Sequence, residues 1–70
     1  MSSSYLVVIE RGERNFSAYV PDLPGCIATG STRDETVERM RKAIAMHIEG
    51  LRADGEPIPE PVTSAALVAA

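Results

Sequence analysis

Seventy residues, 44% of them hydrophobic, permit one domain over 1–70 with a thin core, because a chain this short hides only about 60% of the surface it exposes unfolded. One cysteine and one histidine exclude an internal disulfide and a four-ligand zinc site of the usual kind, which leaves oligomerisation or an unusually good core, and a partner chain is expected. Ten acidic residues against seven basic, a net charge of −3, exclude the clustered cations of a nucleic-acid surface and suit attraction to a basic partner.

Residues 5–10 open the domain with a continuous apolar, β-branched run through Tyr5, Leu6, Val7, Val8 and Ile9, the pattern of a strand apolar on both faces. A polar turn over 11–15 follows, with Gly12 and Asn15 as residues that tolerate positive φ. Residues 16–20 then alternate, Phe16, Ala18 and Val20 against Ser17 and Tyr19, which predicts a half-covered strand in an antiparallel hairpin with the first. Pro21 and Pro24 remove ladder donors and Gly25 permits a tight turn, so 21–25 must be a loop. Residues 26–30 read as a short third strand, with Gly30 at its exit towards a helix.

The helix carries the clearest signals. Thr32 and Glu35 form a capping-box pair, and Asp34 and Glu35 sit at the positive end of the helix dipole. Val37, Met40, Ile44, Ile48 and Leu51 recur every three or four residues as one buried stripe. Asp54, Gly55 and Pro57 stop it, giving a helix over 33–53. Pro57, Pro59 and Pro61 make 56–61 an extended, polyproline-like stretch. The small apolar residues 62–70 follow; 65–69 can pair as a fourth strand or equally fray.

The expected layout is α+β, a three-stranded antiparallel sheet with one long helix on one face. One helix covers one face only. Either Leu6, Val8 and Tyr19, or their counterparts Tyr5, Val7 and Phe16, must then lie open to another chain.

Candidate chemistry is sparse. Cys26 and His47 are the only nucleophile–base pair available, and both fall on regular elements, where a packed cysteine and a packed or interface histidine are the expected roles. Asp22 belongs to a proline loop, and Asp34 and Glu35 are accounted for by capping, so no carboxylate cluster for divalent ions is expected. Neither a catalytic residue nor a cofactor or metal site is assigned. The loop through Asp22, Leu23 and Pro24 reads as a rigid connector or as a preformed recognition edge, since prolines lower the ordering entropy of binding. No run approaches the roughly 20 apolar residues that span a bilayer, and 5–9 lacks a signal-peptide lead, so the cytoplasm is the expected compartment.

The strings through Tyr5–Glu10, Phe16 to Cys26, Gly30 to Glu35, Ala43 to Leu51 and Asp54 to Pro61 together resemble the HicB-like antitoxin family over about residues 5–61. The resemblance implies a β-β-β-α-β unit likened to a partial RNase H fold without its catalytic carboxylates. It also implies a non-catalytic binding module that covers a HicA-type toxin, a small basic ribonuclease, and that self-associates into a homodimer or higher oligomer. Longer relatives carry a DNA-binding segment after the prolines; no basic helix follows them here, so direct nucleic-acid binding is not expected. On this reading the candidate interface is Leu6, Val8, Tyr19, Asp22, Leu23, Pro24 and His47. The alternative is a homo-oligomeric structural domain with no toxin.

Overall fold

Three short strands and one helix follow one another along the chain: β1 (Val8–Arg11), β2 (Phe16–Tyr19), β3 (Ile27–Gly30) and α1 (Arg33–Ala53). The structure is a computed structural model that describes residues 4–70; most of the polar lead expected before the first strand lies outside them. The strands form one antiparallel sheet in the order β1-β2-β3. Val8 pairs with Tyr19 and Tyr19 with Ile27, while Ile9 pairs with Ala18 and Ala18 with Ala28. This is the α+β arrangement the sequence predicts, with shorter strands than the apolar runs suggested. Tyr5, Leu6 and Val7 precede the ladder, and 65–69 makes no fourth strand: that segment is exposed and unpaired.

The hairpin between β1 and β2 closes on a hydrogen bond from the Gly12 amide to the Asn15 carbonyl, 2.8 Å. Neither Gly12 nor Asn15 adopts positive φ, so the tolerance expected of them is not used. The β2–β3 connection is built from two consecutive turns. The Leu23 amide donates to the Val20 carbonyl at 3.1 Å and the Cys26 amide to the Leu23 carbonyl at 3.0 Å. Each turn has a proline in its second position, Pro21 and then Pro24, where the fixed φ of the ring is preorganised. Gly25 follows Pro24 at φ 85, the left-handed position a type II turn requires. The junction residue Leu23 is driven inward and is fully buried.

Both helix ends match their sequence signals. Thr32 Oγ1 accepts from the Glu35 amide at 3.0 Å, and Glu35 returns a carboxylate oxygen to the Ser31 amide at 2.7 Å, one residue earlier than the standard reciprocal bond. At the other end Glu56 donates to the Leu51 carbonyl and Gly55, at φ 70, to the Arg52 carbonyl, the paired bonds of a Schellman stop.

Ala18, Val20, Leu23, Cys26 and Met40 form the buried core, with Tyr5, Val7, Ile9, Ala28, Ala43 and Ile44 packed around it. The helix packs chiefly on β3 and β2. It comes so close to β3 that a Cβ on Gly30 would lie 2.6 Å from Thr36 Oγ1 and 2.9 Å from the Thr36 nitrogen. Thr36 is fully buried there and satisfies its hydroxyl by donating to the Thr32 carbonyl at 2.7 Å. Of the expected stripe, Met40 is buried and Val37, Ile44, Ile48 and Leu51 are half-buried. Thr36 and Ala43 complete the contact face, and the apolar periodicity did not mark them.

The extended stretch after the helix returns to the sheet. The Tyr5 hydroxyl donates to the Pro59 carbonyl. Asp22 accepts from the Thr63 amide at 3.0 Å and from the Thr63 hydroxyl at 2.7 Å. The Thr63 amide, then its hydroxyl, hold the Asp22 carboxyl below the ordinary carboxylate range. A lowered carboxyl stabilises the strap above the ordinary Asp value and loses that effect as pH falls through its own lower value.

Three outcomes follow from this packing. Gly30→Val should lower the urea midpoint by an amount equivalent to about 1–3 kcal/mol at unchanged m-value, since the helix must shift away from β3. Met40→Ala should cost about 2–5 kcal/mol, a large share of the roughly 4–10 kcal/mol expected of a domain this size, with chemical denaturation followed by circular dichroism as the check. In an NMR titration the Thr63 amide should shift with a midpoint below the ordinary Asp value, and Asp22→Ala should abolish that transition.

Candidate interaction surface

The alternation of each strand assigns its faces. Tyr5, Val7, Ile9, Ala18 and Ala28 face the helix side and pack on the core. Leu6, Val8, Tyr19 and Ile27 therefore share the other face, because neighbouring side chains on a strand point oppositely. The register sets Val8, Tyr19 and Ile27 side by side as one row across all three strands. Tyr19 is 42% exposed and Ile27 69% exposed, while Leu6 and Val8 are half-buried. The next row, Glu10, Ser17 and Thr29, is polar. The outer face is thus divided into an apolar half towards the β2–β3 loop and a polar half towards the β1–β2 turn.

This settles which of the two strand faces meets the helix, a choice the sequence left open. Leu6, Val8 and Tyr19 come together as one surface. Ile27 belongs with them and was missed; its signal was its place between the inward residues Cys26 and Ala28. The other candidate residues are dispersed. Pro24 is exposed at the tip of its turn, and Asp22 is engaged by Thr63. Leu23 has no exposed surface to offer a partner: the double turn points it into the core, so its part in an interface is corrected to that of an internal anchor.

His47 lies on α1, on the opposite side of the sheet from Tyr19. It borders a shallow depression with Gly25, Cys26, Ile27, Ala43 and Met46. Cys26 and His47 are therefore near one another, but no hydrogen bond joins them among the described residues, and burial pushes the Cys26 thiol up. A protonated, enclosed thiol is a poor nucleophile. Among the described residues no three His, Cys, Asp or Glu side chains gather in a way that could hold a metal ion. Nor is any helix among them long and apolar enough to cross a membrane. The chemistry this surface offers is that of apolar burial edged by polar groups, which is the chemistry of protein–protein contact.

Comparison with known proteins bears on the same point. A 14.9 kDa protein from the rep-hol intergenic region of Haemophilus phage HP1 is 38% identical over 80% of this chain and 42% of its own length. A UPF0150 protein of Synechocystis is 33% identical over 81% of this chain and 73% of its own. Another, from Thermoplasma acidophilum, is 38% identical over 79% of this chain and 81% of its own. The chain thus spans less than half of the phage protein and most of the two UPF0150 proteins. No solved structure matches it significantly. The family model for the HicB-like antitoxins of bacterial toxin–antitoxin systems matches residues 5–70, and this chain belongs to that family.

Proposed function

We propose that this chain is a non-catalytic binding module that neutralises a small basic ribonuclease toxin of HicA type in the cytoplasm, by direct contact through its outer sheet face. The observation that carries the reading is the apolar row of half-buried Val8 and exposed Tyr19 and Ile27, which the helix leaves uncovered. A tyrosine at the centre of such a row is a favourable anchor, since tyrosine and other aromatic residues dominate the energetics of contact surfaces. The net charge of −3 supports a cationic partner, both by steering encounter and by disfavouring acidic competitors. The raised Cys26 thiol and the capping role of Glu35 support a module without chemistry of its own.

A second reading is a homo-oligomeric structural domain with no toxin. It draws on the thinness of the core, whose buried apolar residues are Ala18, Val20, Leu23, Cys26 and Met40.

Co-expression with a small basic ribonuclease of HicA type tests the first reading. The wild-type chain should restore growth and co-purify with the toxin. Tyr19→Arg combined with Val8→Arg should keep its helical circular dichroism yet weaken toxin binding by about 30-fold or more. Undiminished neutralisation by that variant would sink the outer-face assignment, and failure of the wild type to bind any such ribonuclease would favour the second reading.

A further inference from the structure

Size sets a constraint on the outer face. Three strands of four residues each form it. At about 4.8 Å between strands and about 3.3 Å per residue, the sheet is on the order of 200 Å² in plan. A stable contact takes roughly 800 Å² from each partner. A partner held on the outer face must therefore reach past the rim of the sheet.

Outside residues 62–70, the exposed large apolar side chains among the described residues are Tyr19, Ile27 and Met46, the last 72% exposed. These three are contiguous. Tyr19 and Ile27 are register partners on the outer face. Ile27 also borders the depression, about 330 Å³ in volume, that it shares with Gly25, Cys26, Ala43, Met46 and His47. Buried Cys26 and half-buried Ala43 form its bottom, while Ile27 and Met46 stand exposed at its rim. Met46 is there because Arg39, Ala43 and Met46 recur at four- and three-residue spacing on one side of α1. Arg39 shows that this side runs along β3, for its guanidinium donates to the Thr29 carbonyl at 2.9 Å. Ile27 is thus a corner, with the outer face on one side and the helix on the other. A single exposed methionine needs no explanation. One that continues an apolar row round a corner marks a contact surface, and its unbranched thioether adapts to what it meets.

The charges along this surface suit a cationic partner. Glu10 is the one charged side chain that the strands present on the outer face. Neither Glu10 nor Glu49, one turn beyond Met46, forms an ion pair among the described residues. Lys42, one turn before Met46, offsets one of them, and Arg39 is held by Glu35 and the Thr29 carbonyl.

We infer that the contact surface of this chain is bent. It runs from the outer row through Ile27 into the depression beside α1, and the basic protein on the outer face also grips Met46, seating an apolar side chain of its own in the depression. The inference rests on the outer face being the toxin-binding surface and extends that surface to a second side of the fold.

Calorimetric titration of the full chain with a small basic ribonuclease of HicA type tests it. Met46→Asp should weaken binding by about 10-fold or more with the helical signal unchanged, since this side chain lies in solvent in the free chain. An added acid by itself favours a basic partner, so such a loss reports broken apolar contact. Ala45→Asp, on an exposed neighbour outside the depression, adds the same charge and should leave affinity within about twofold. In the complex with unlabelled ribonuclease, the Met46 and Ile27 methyl signals should both shift. Full affinity in Met46→Asp beside lost binding in Tyr19→Arg would overturn the bent surface and leave the outer-face reading standing. A Met46 methyl signal that stays in place on binding, or an equal loss from Ala45→Asp, would also overturn it. A wild-type chain that binds no such ribonuclease would overturn both readings together.

Discussion

The helix stands where Gly30 lets it stand. With no side chain on Gly30, the Thr36 backbone and hydroxyl press against the last residue of β3, and Thr36 is fully enclosed. Only two residues separate the end of that strand from the start of the helix, so this contact sets both its origin and its height above the sheet. Anchored there, α1 lies chiefly on β3 and β2. The outer face is uncovered because a single helix has only one sheet face to pack on.

Local turn chemistry makes such a small core workable. The double turn from Val20 to Cys26 uses both prolines at positions that need their fixed φ and its one glycine where φ is positive. Little flexibility is therefore left to be lost on folding in the connector. Its reward is Leu23, a loop residue that is as buried as any in the chain. The strap formed by Tyr5, Pro59, Asp22 and Thr63 performs a related task at the end of the sheet, holding the post-helical segment in a set direction.

Membership of the HicB-like antitoxins gives these open surfaces a common meaning. An antitoxin works by presenting surface, and a fold that leaves one sheet face uncovered has surface to present. The apolar outer row suits a partner in a face-to-face contact.

The helix from Arg33 to Ala53, its caps, the order of the strands and the turn over 21–25 were legible in the sequence, because each rests on interactions between residues close along the chain. Capping, proline geometry and 3.6-residue periodicity are local physics. Strand lengths were overestimated, since an apolar run at 5–7 does not reveal where ladder bonding begins. The burial of Leu23, the enclosure of Thr36, the face shared by Leu6, Val8, Tyr19 and Ile27, and the failure of 65–69 to pair were decided only by the tertiary structure. The reason is physical: a strand apolar on both sides carries no label for inside and outside. That label comes from which face the helix reaches, and the helix packs on it through Met40, Ala43 and Ile44, at a height set by the close contact between Gly30 and Thr36.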